Sequence, residues 1–163
     1  MFMNKFFNLN KKNILNNKIN IAIIGLGYVG LRLLINFSAS KNNVYGIDVD
    51  KEKILSIKKN KSYINYISNN EIKKIEKSRL SNNYKFIQNI DVVILCLPTP
   101  LKNNKPDLSY LKKACAKLKD KIQEGQIIIL ESTSYPGTTE DFLYKNLNLK
   151  RFNLGENLFL GFS

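Results

Sequence analysis

A β-branched run followed at once by three spaced glycines is the feature that most restricts the fold of this chain. Residues 19–24 read Ile-Asn-Ile-Ala-Ile-Ile, and Gly25, Gly27 and Gly30 follow in the spacing G-x-G-x-x-G. A run with helical apolar periodicity then extends to about Ser40. The pattern predicts a strand buried on both faces, a tight glycine turn and a helix. This order is typical of the first βαβ unit of a dinucleotide-binding fold.

Strand and helix patterns alternate from this unit to the end of the chain. After the first strand, further strands are predicted over Val44 to Asp48, Tyr84 to Ile87, Asp91 to Leu97, Ile127 to Leu130 and Leu158 to Gly161. Helices are predicted between them, over residues 31–40, 51–59, 71–77, 109–123 and 138–147. Such alternation indicates parallel strands with helices on both faces. The predicted fold is therefore α/β, a Rossmann-type doubly wound parallel sheet of about six strands.

Each glycine of the loop has a distinct physical task if the loop binds a diphosphate. Gly25 permits the tight turn, the missing Cβ of Gly27 lets the pyrophosphate approach the backbone, and Gly30 lets the helix lie close to the sheet. The unpaired N–H groups at the start of the helix attract the anion without a lysine.

Asp48 supports the same interpretation. It ends the second strand eighteen residues after Gly30, where a dinucleotide-binding fold places the acid that accepts ribose hydroxyls. A carboxylate there repels a 2′-phosphate, so NAD is predicted over NADP, although Lys51 and Lys53 lie close enough to weaken the preference. The alternative is a glycine-rich turn that binds nothing, with Asp48 as an ordinary turn residue.

Composition restricts the chemistry further. The 163 residues include no histidine and only two cysteines, Cys96 and Cys115. This composition excludes histidine acid–base catalysis and a disulfide framework, and we expect no zinc site. Both cysteines are predicted to be buried and unreactive. Glu131 can be a general base or a structural acceptor. Neither a membrane-spanning run nor a secretory signal is recognisable, so we expect a cytoplasmic chain with no membrane partner.

The charge of the chain leaves a second function open. The formal net charge is +13, and residues 51–85 carry ten cations against three acids, with Tyr63, Tyr66 and Tyr84 interleaved. A basic, non-catalytic domain that binds RNA or another polyanion is therefore an alternative. Only three of the cations in the chain are arginine, so a solvated lysine-rich face is the preferred interpretation and no nucleic-acid partner is expected.

Five motifs occur in order along the chain. They are Gly25-Leu-Gly-Tyr-Val-Gly-Leu31, Asp48-Val-Asp50, Pro98-Thr-Pro-Leu101, Pro106-Asp-Leu-Ser-Tyr110 and Glu131-Ser-Thr-Ser-Tyr-Pro-Gly-Thr-Thr139. Together they resemble the UDP-glucose/GDP-mannose dehydrogenase family. The third and fifth most resemble its UDP-N-acetylglucosamine or UDP-N-acetylmannosamine 6-dehydrogenase branch. The resemblance covers about Ile19 to Ser163.

The resemblance implies an activity and a set of site residues. Such enzymes oxidise the C6 hydroxyl of a UDP-sugar (UDP-N-acetylglucosamine, UDP-N-acetylmannosamine or UDP-glucose) to a carboxylate with two NAD. The implied cofactor-binding residues are Gly25, Leu26, Gly27, Tyr28, Val29, Gly30, Asp48, Lys53, Thr99 and Thr133. Thr133 is also implied to be catalytic, because the matching threonine lies near the nicotinamide and helps to organise the active-site water. Arg32 stands where the family usually has proline, and little functional effect is expected.

The resemblance also implies a division of the protein. Residues 1–18 are expected to form a basic N-terminal extension, and residues 19–163 the NAD-binding domain. Family members continue into a dimerising helix and a UDP-sugar-binding domain that supplies the catalytic cysteine and lysine. We therefore expect this chain alone to bind NAD without turnover, a partner chain to be able to supply the other half, and a homodimer only at full length. A 6-phosphogluconate or 3-hydroxyacyl dehydrogenase relative is a lower-ranked alternative, since those enzymes lack the proline-rich motifs.

Overall fold

The computed structural model describes residues 16, 19–103, 105–132 and 137–163. The predicted N-terminal extension lies almost wholly outside the described residues. The strands are β1 (Asn20–Ile24), β2 (Asn43–Ile47), β3 (Leu80–Ser81), β4 (Val92–Leu95), β5 (Leu101–Lys102), β6 (Lys105–Pro106), β7 (Ile127–Leu130) and β8 (Phe159–Phe162). Six of them form one parallel sheet in the order β3-β2-β1-β4-β7-β8. This is the strand order of a doubly wound dinucleotide-binding sheet, which confirms the predicted fold class.

Helices connect the parallel strands. They are α1 (Tyr28–Ser38), α2 (Lys51–Lys58), α3 (Asn69–Lys73), α4 (Ser109–Leu118) and α5 (Tyr144–Asn146), the last preceded by a π-helical segment over Thr138–Leu143. Local hydrogen bonds fix two of the starts. The Asp50 side chain accepts from Glu52 N–H at the start of α2, and Ser68 and Glu71 form a capping box at the start of α3, which supplies partners for backbone groups that the helix leaves unpaired.

The core lies on both faces of the sheet because β1 alternates its side chains. Ile21 and Ile23 pack in one apolar cluster with residues of α1, α2 and α3. Ala22 and Ile24 pack in a second cluster with residues of α4 and the segment before β8. Both faces of a central parallel strand are thus covered, which explains why the run contains almost no polar residue. Each fully buried isoleucine stabilises the fold by roughly 1.5–3 kcal/mol.

The strand order reverses at β1, and this position determines where a ligand can bind. β1 pairs with β2 on one side and with β4 on the other. The connection after β1 passes over one face and the connection after β4 over the other, so their carboxyl ends leave a crevice between them. In open α/β sheets, ligands bind in such a crevice.

The predicted strand over Tyr84 to Ile87 is wrong. Tyr84 immediately precedes a turn over residues 85–86, and a 3₁₀ helix covers Ile87–Asn89. The third strand is instead the two-residue segment Leu80–Ser81, which pairs with the end of β2. Tyr84 and Ile87 are buried, as their apolar character requires, but their backbone bonds are local, with Ile87 N–H donating to the Tyr84 carbonyl. A buried apolar segment with local backbone hydrogen bonds therefore has the same residue pattern as a short strand.

Two smaller elements also differ from the sequence-based expectation. The proline-rich stretch predicted as a stiff loop contains an antiparallel hairpin of β5 and β6. α4 ends at Leu118, earlier than predicted, and Gly125 takes a left-handed conformation just before β7. Among the described residues, no helix has the length and apolar character needed to cross a membrane.

Candidate functional site

Two glycines of the loop are required by packing and the third by access. Gly25 has a φ of +90°, and a Cβ there would overlap the carbonyl oxygen of Cys96. A Cβ on Gly30 would overlap the carbonyl oxygen of Gly25. A Cβ on Gly27 would meet no atom within 4 Å. The space in front of Gly27 is therefore open, as a site for a closely approaching diphosphate requires.

The start of α1 offers unpaired donors at the same place. Gly27 is the N-cap of the helix, no side chain caps it, and the first turn contains no acidic residue. The first N–H groups of a helix have no partner within the helix, and the helix dipole adds about half a positive charge there. An anion placed at Gly27 would thus meet donors that no side chain of α1 occupies.

Asp48 is tied to the glycine loop. Its side chain is buried. The Oδ2 atom accepts a hydrogen bond from Leu26 N–H at 2.7 Å and forms an ion pair with Lys53 Nζ at 3.2 Å. Its Oδ1 accepts from Asp50 N–H at 2.9 Å. A carboxylate offers about four lone-pair positions, so Oδ1 can accept from one further donor. Asp48 thus also anchors the glycine loop through the Leu26 N–H, a contact that the motif spacing does not predict.

A cavity of about 990 Å³ opens in front of these groups, at the upper end of the roughly 300–1,000 Å³ typical of small-molecule sites. It lies at the carboxyl ends of β1, β2, β4 and β7. The predicted site residues that line it are Gly25, Gly27, Tyr28, Val29, Asp48, Lys53 and Thr99. Leu26 and Gly30 are buried and do not line the cavity. Thr133, the predicted catalytic residue, lies outside the described residues.

The thiols offer no nucleophile to this cavity. Cys96 lines its floor, and burial together with the nearby Glu131 raises the pKa of the thiol to about 12. Burial in α4 likewise raises the pKa of Cys115 to about 12. A thiol with such a pKa is almost wholly protonated near neutral pH and is unreactive.

Next to Glu131, the Ser132 hydroxyl accepts from Leu97 N–H and donates to the Leu97 carbonyl, which joins the ends of β4 and β7.

The basic segment over residues 51–85 does not present its three tyrosines as a binding face. Tyr84 is buried, and Tyr63 is partly buried with its hydroxyl bound to a backbone carbonyl. Tyr66 is exposed and stacks on Tyr28 at a ring separation of 5.9 Å. Lys77 donates to carbonyl groups at the end of α3. Stacking platforms for successive bases are thus reduced to the Tyr28–Tyr66 pair.

Two contacts of this segment with the glycine loop and α1 were not predicted. Tyr63 OH donates to the Leu26 carbonyl at 2.6 Å. Arg32 pairs with Glu71 of α3 and donates to the Tyr66 carbonyl. The pattern Ser-x-x-Glu that ends at Glu71 is a recognisable capping-box signal for α3, but no sequence signal points from there to Arg32. The residue at the family's proline position thus fastens α1 to the segment between β2 and β3.

Comparison with known proteins agrees with this geometry. The profile of the UDP-glucose/GDP-mannose dehydrogenase family, NAD binding domain, matches residues 19–157. The protein CapL of Staphylococcus aureus is 35% identical over 146 residues, which are 88% of this chain and 34% of that protein. A UDP-N-acetyl-D-glucosamine 6-dehydrogenase of Pseudomonas aeruginosa is 33% identical over 149 residues, 89% of this chain and 35% of that protein. This chain thus spans about a third of the length of these curated relatives.

Solved structures give the same result. The UDP-D-ManNAc dehydrogenase of Pyrococcus horikoshii superposes with a TM-score of 0.78 at 31% identity, covering 87% of this chain and 35% of that one. A 3-hydroxyisobutyrate dehydrogenase of Mycobacterium tuberculosis reaches a TM-score of 0.57 at 14% identity, with 88% of this chain and 39% of that one covered, and shares the fold alone. The resemblance inferred from the five motifs is confirmed: this chain belongs to the UDP-glucose/GDP-mannose dehydrogenase family and contains its NAD-binding domain.

Proposed function

We propose that residues 19–163 form the cofactor-binding domain of a nucleotide-sugar 6-dehydrogenase that oxidises the C6 hydroxyl of a UDP-sugar to a carboxylate. The observation that carries the proposal is the shared wall of one cavity, where the open face of Gly27 and the Asp48 carboxylate lie together. Relatives named UDP-N-acetyl-D-glucosamine 6-dehydrogenase and UDP-N-acetyl-D-mannosamine dehydrogenase support the substrate class.

The residues present fit NAD. In this proposal the pyrophosphate lies against Gly27 and the start of α1, where a Cβ would fill the open space. The proposed cofactor-binding set is Gly25, Leu26, Gly27, Tyr28, Val29, Gly30, Asp48, Lys53, Thr99 and Thr133. Thr133 is also proposed to organise the active-site water. When bound, NAD supplies the hydride acceptor for each of the two oxidation steps.

Discrimination against NADP follows from the charge of Asp48. Its buried carboxylate accepts from three protein groups, and Asp48 lines the cavity in which the ribose is proposed to lie. A hydroxyl can donate to the carboxylate, whereas a 2′-phosphate would place a second anion beside it. Lys53 offsets part of the repulsion, because its ammonium group lies 3.2 Å from Oδ2.

In the proposed second oxidation, a cysteine thiolate adds to the aldehyde to form a thiohemiacetal, and we propose that this thiol comes from outside these 163 residues. Burial raises the pKa of both cysteines to about 12, which leaves no thiolate for attack on an aldehyde near neutral pH. The rest of the machinery is proposed to come from the part of the relatives that this chain does not match, in the same protein or in a partner chain. A homodimer is proposed for the full-length form.

Thermal unfolding of the 163-residue chain with and without NAD tests the proposal. A ligand at ten times its Kd stabilises the native state by about 1.4 kcal/mol, which corresponds to a rise in Tm of about 3–6 °C for a chain of this size. NADP at the same concentration serves as the control and should give a smaller rise. An unchanged Tm at ten millimolar NAD would contradict cofactor binding, and NADH formation from a UDP-sugar by this chain alone would contradict the division of the machinery.

A further inference from the structure

Both backbone polar groups of Leu26, inside the glycine loop, are held by side chains distant in sequence. The N–H donates to Asp48 Oδ2 at 2.7 Å, and the carbonyl accepts from Tyr63 OH at 2.6 Å. Asp48 lies at the end of β2 and Tyr63 in the segment that follows α2. Leu26 is completely buried, so the loss of either bond leaves a buried backbone group unpaired.

The bond to the Leu26 carbonyl also determines where the next N–H group points. That carbonyl and the Gly27 N–H belong to one peptide plane, and no cis peptide occurs among the described residues. In a trans peptide the two groups point in opposite directions. Gly27 lines the cavity, whereas neither Leu26 nor Tyr63 does. Tyr63 therefore holds the carbonyl on the side away from the cavity, and the Gly27 N–H is left facing it.

The surroundings of Tyr63 suit a fixed donor. Its ring packs against the apolar cluster formed by β1, α1 and α2. Its neighbours are held by local bonds, with Ile64 N–H donating to Ser62 Oγ at 3.1 Å. Burial and the nearby carboxylates of Asp48 and Asp50 raise the pKa of the phenol well above its usual value. The hydroxyl thus stays protonated over the working range of pH and can donate throughout.

We propose that Tyr63 is a positioning residue for the diphosphate: its hydroxyl fixes the peptide between Leu26 and Gly27 so that the Gly27 N–H meets the phosphate oxygens. A peptide rotated the other way would present the Leu26 carbonyl, an acceptor, to an anion. The inference rests on the proposed binding of NAD and assigns one part of that binding to a side chain outside the cavity.

The variant Tyr63→Phe tests the inference, because it removes only the hydroxyl. Tyr45→Phe is a matched control, since Tyr45 lies on β2, packs against Phe86 at 4.9 Å and does not line the cavity. We expect Tyr63→Phe to bind NAD and ADP about three- to tenfold more weakly, which is the effect of one well-aligned hydrogen bond. Binding of adenosine, which has no phosphate, should change less than about twofold for either variant.

The measurements are calorimetric titration for NAD and ADP, and ¹⁵N NMR titration for adenosine. The NMR spectra add a direct signature: ADP should move the Gly27 amide resonance in the wild type and in Tyr45→Phe, and move it less in Tyr63→Phe at equal saturation. A Tyr63→Phe variant that binds ADP like the wild type would overturn this inference alone. Equal weakening of adenosine would also overturn it, because it would indicate a general structural defect. A wild-type chain that binds neither NAD nor ADP would overturn both proposals.

Discussion

Alanine at Gly27 and alanine at Gly30 should have opposite consequences. A Cβ on Gly27 meets no atom within 4 Å, so the folded chain can accept it with little change in stability. A Cβ on Gly30 overlaps the Gly25 carbonyl and lies 3.1 Å from the Cβ of Cys96. Overpacking of this kind costs about 1–3 kcal/mol. Because the obstructing atom is backbone rather than a flexible side chain, we expect Gly30→Ala to reach about 3 kcal/mol, the upper end of that range.

NAD binding should separate the two variants differently, because the Gly27→Ala substitution is expected to weaken affinity rather than stability. The Gly27 methyl group occupies the open space that the pyrophosphate is proposed to enter. Loss of one charge-assisted hydrogen bond to the phosphate costs about 1.5–3 kcal/mol, or about ten- to a hundredfold in Kd. Gly27→Ala should therefore keep its fold and lose affinity by at least tenfold, the lower limit of this estimate.

Thermal unfolding and calorimetric titration on the same preparations separate the two effects. Gly30→Ala should unfold about 6–12 °C below the wild type, from about 2–4 °C per kcal/mol for a chain of this size, and Gly27→Ala should unfold within about 3 °C of it. The reasoning would be refuted if Gly27→Ala bound NAD as tightly as the wild type, or if both variants lost equal stability.

Two further predictions concern the segment between β2 and β3. Hydrogen bonds from Ser68, and after them the bond from Arg32, lower the pKa of Glu71 to about 2. Because the folded pKa lies below the ordinary value, the ionised carboxylate stabilises the native state above about pH 4.5. This stabilisation is lost as the pH falls towards 2. The Tm difference between wild type and Glu71→Gln, measured from pH 6 to pH 2, should therefore shrink over that interval, and a constant difference would contradict the assignment. Filter binding to a homopolymeric RNA should fall steeply between 50 and 200 mM salt, as expected for exposed lysines acting by charge alone, whereas tight binding that persists at high salt would favour the polyanion-binding alternative.

The central strands could be predicted because their burial determines their composition. β1, β4 and β7 lie in the interior of a sheet covered on both faces, so each is a run of apolar and mostly β-branched residues. β3 could not be predicted, because two residues at the sheet edge show no periodicity. The strand predicted over Tyr84 to Ile87 is wrong for a related reason, because a segment that packs into the core beside a turn has the same apolar character as a strand.

The candidate site divides in a similar way. Gly27 and Asp48 belong to a motif with fixed spacing, and their positions followed from chain order alone. The contribution of Tyr63 did not, since its hydroxyl meets a carbonyl 37 residues away and the bond depends on how the segment after α2 folds back over the loop. Arg32 and Glu71 are joined across 39 residues for the same reason. Side-chain contacts with backbone groups leave no periodic pattern in a sequence.

The double use of Asp48 limits how the nucleotide preference of this domain can be redesigned. A substitution that removes the carboxylate to admit a phosphorylated ribose also removes the acceptor of the Leu26 N–H and the partner of Lys53. Asparagine keeps an oxygen that can accept from Leu26 while discarding the negative charge, whereas alanine leaves a buried donor unpaired. A change of selectivity at this position therefore leaves the loop contact intact only if the new residue retains an acceptor for the Leu26 N–H.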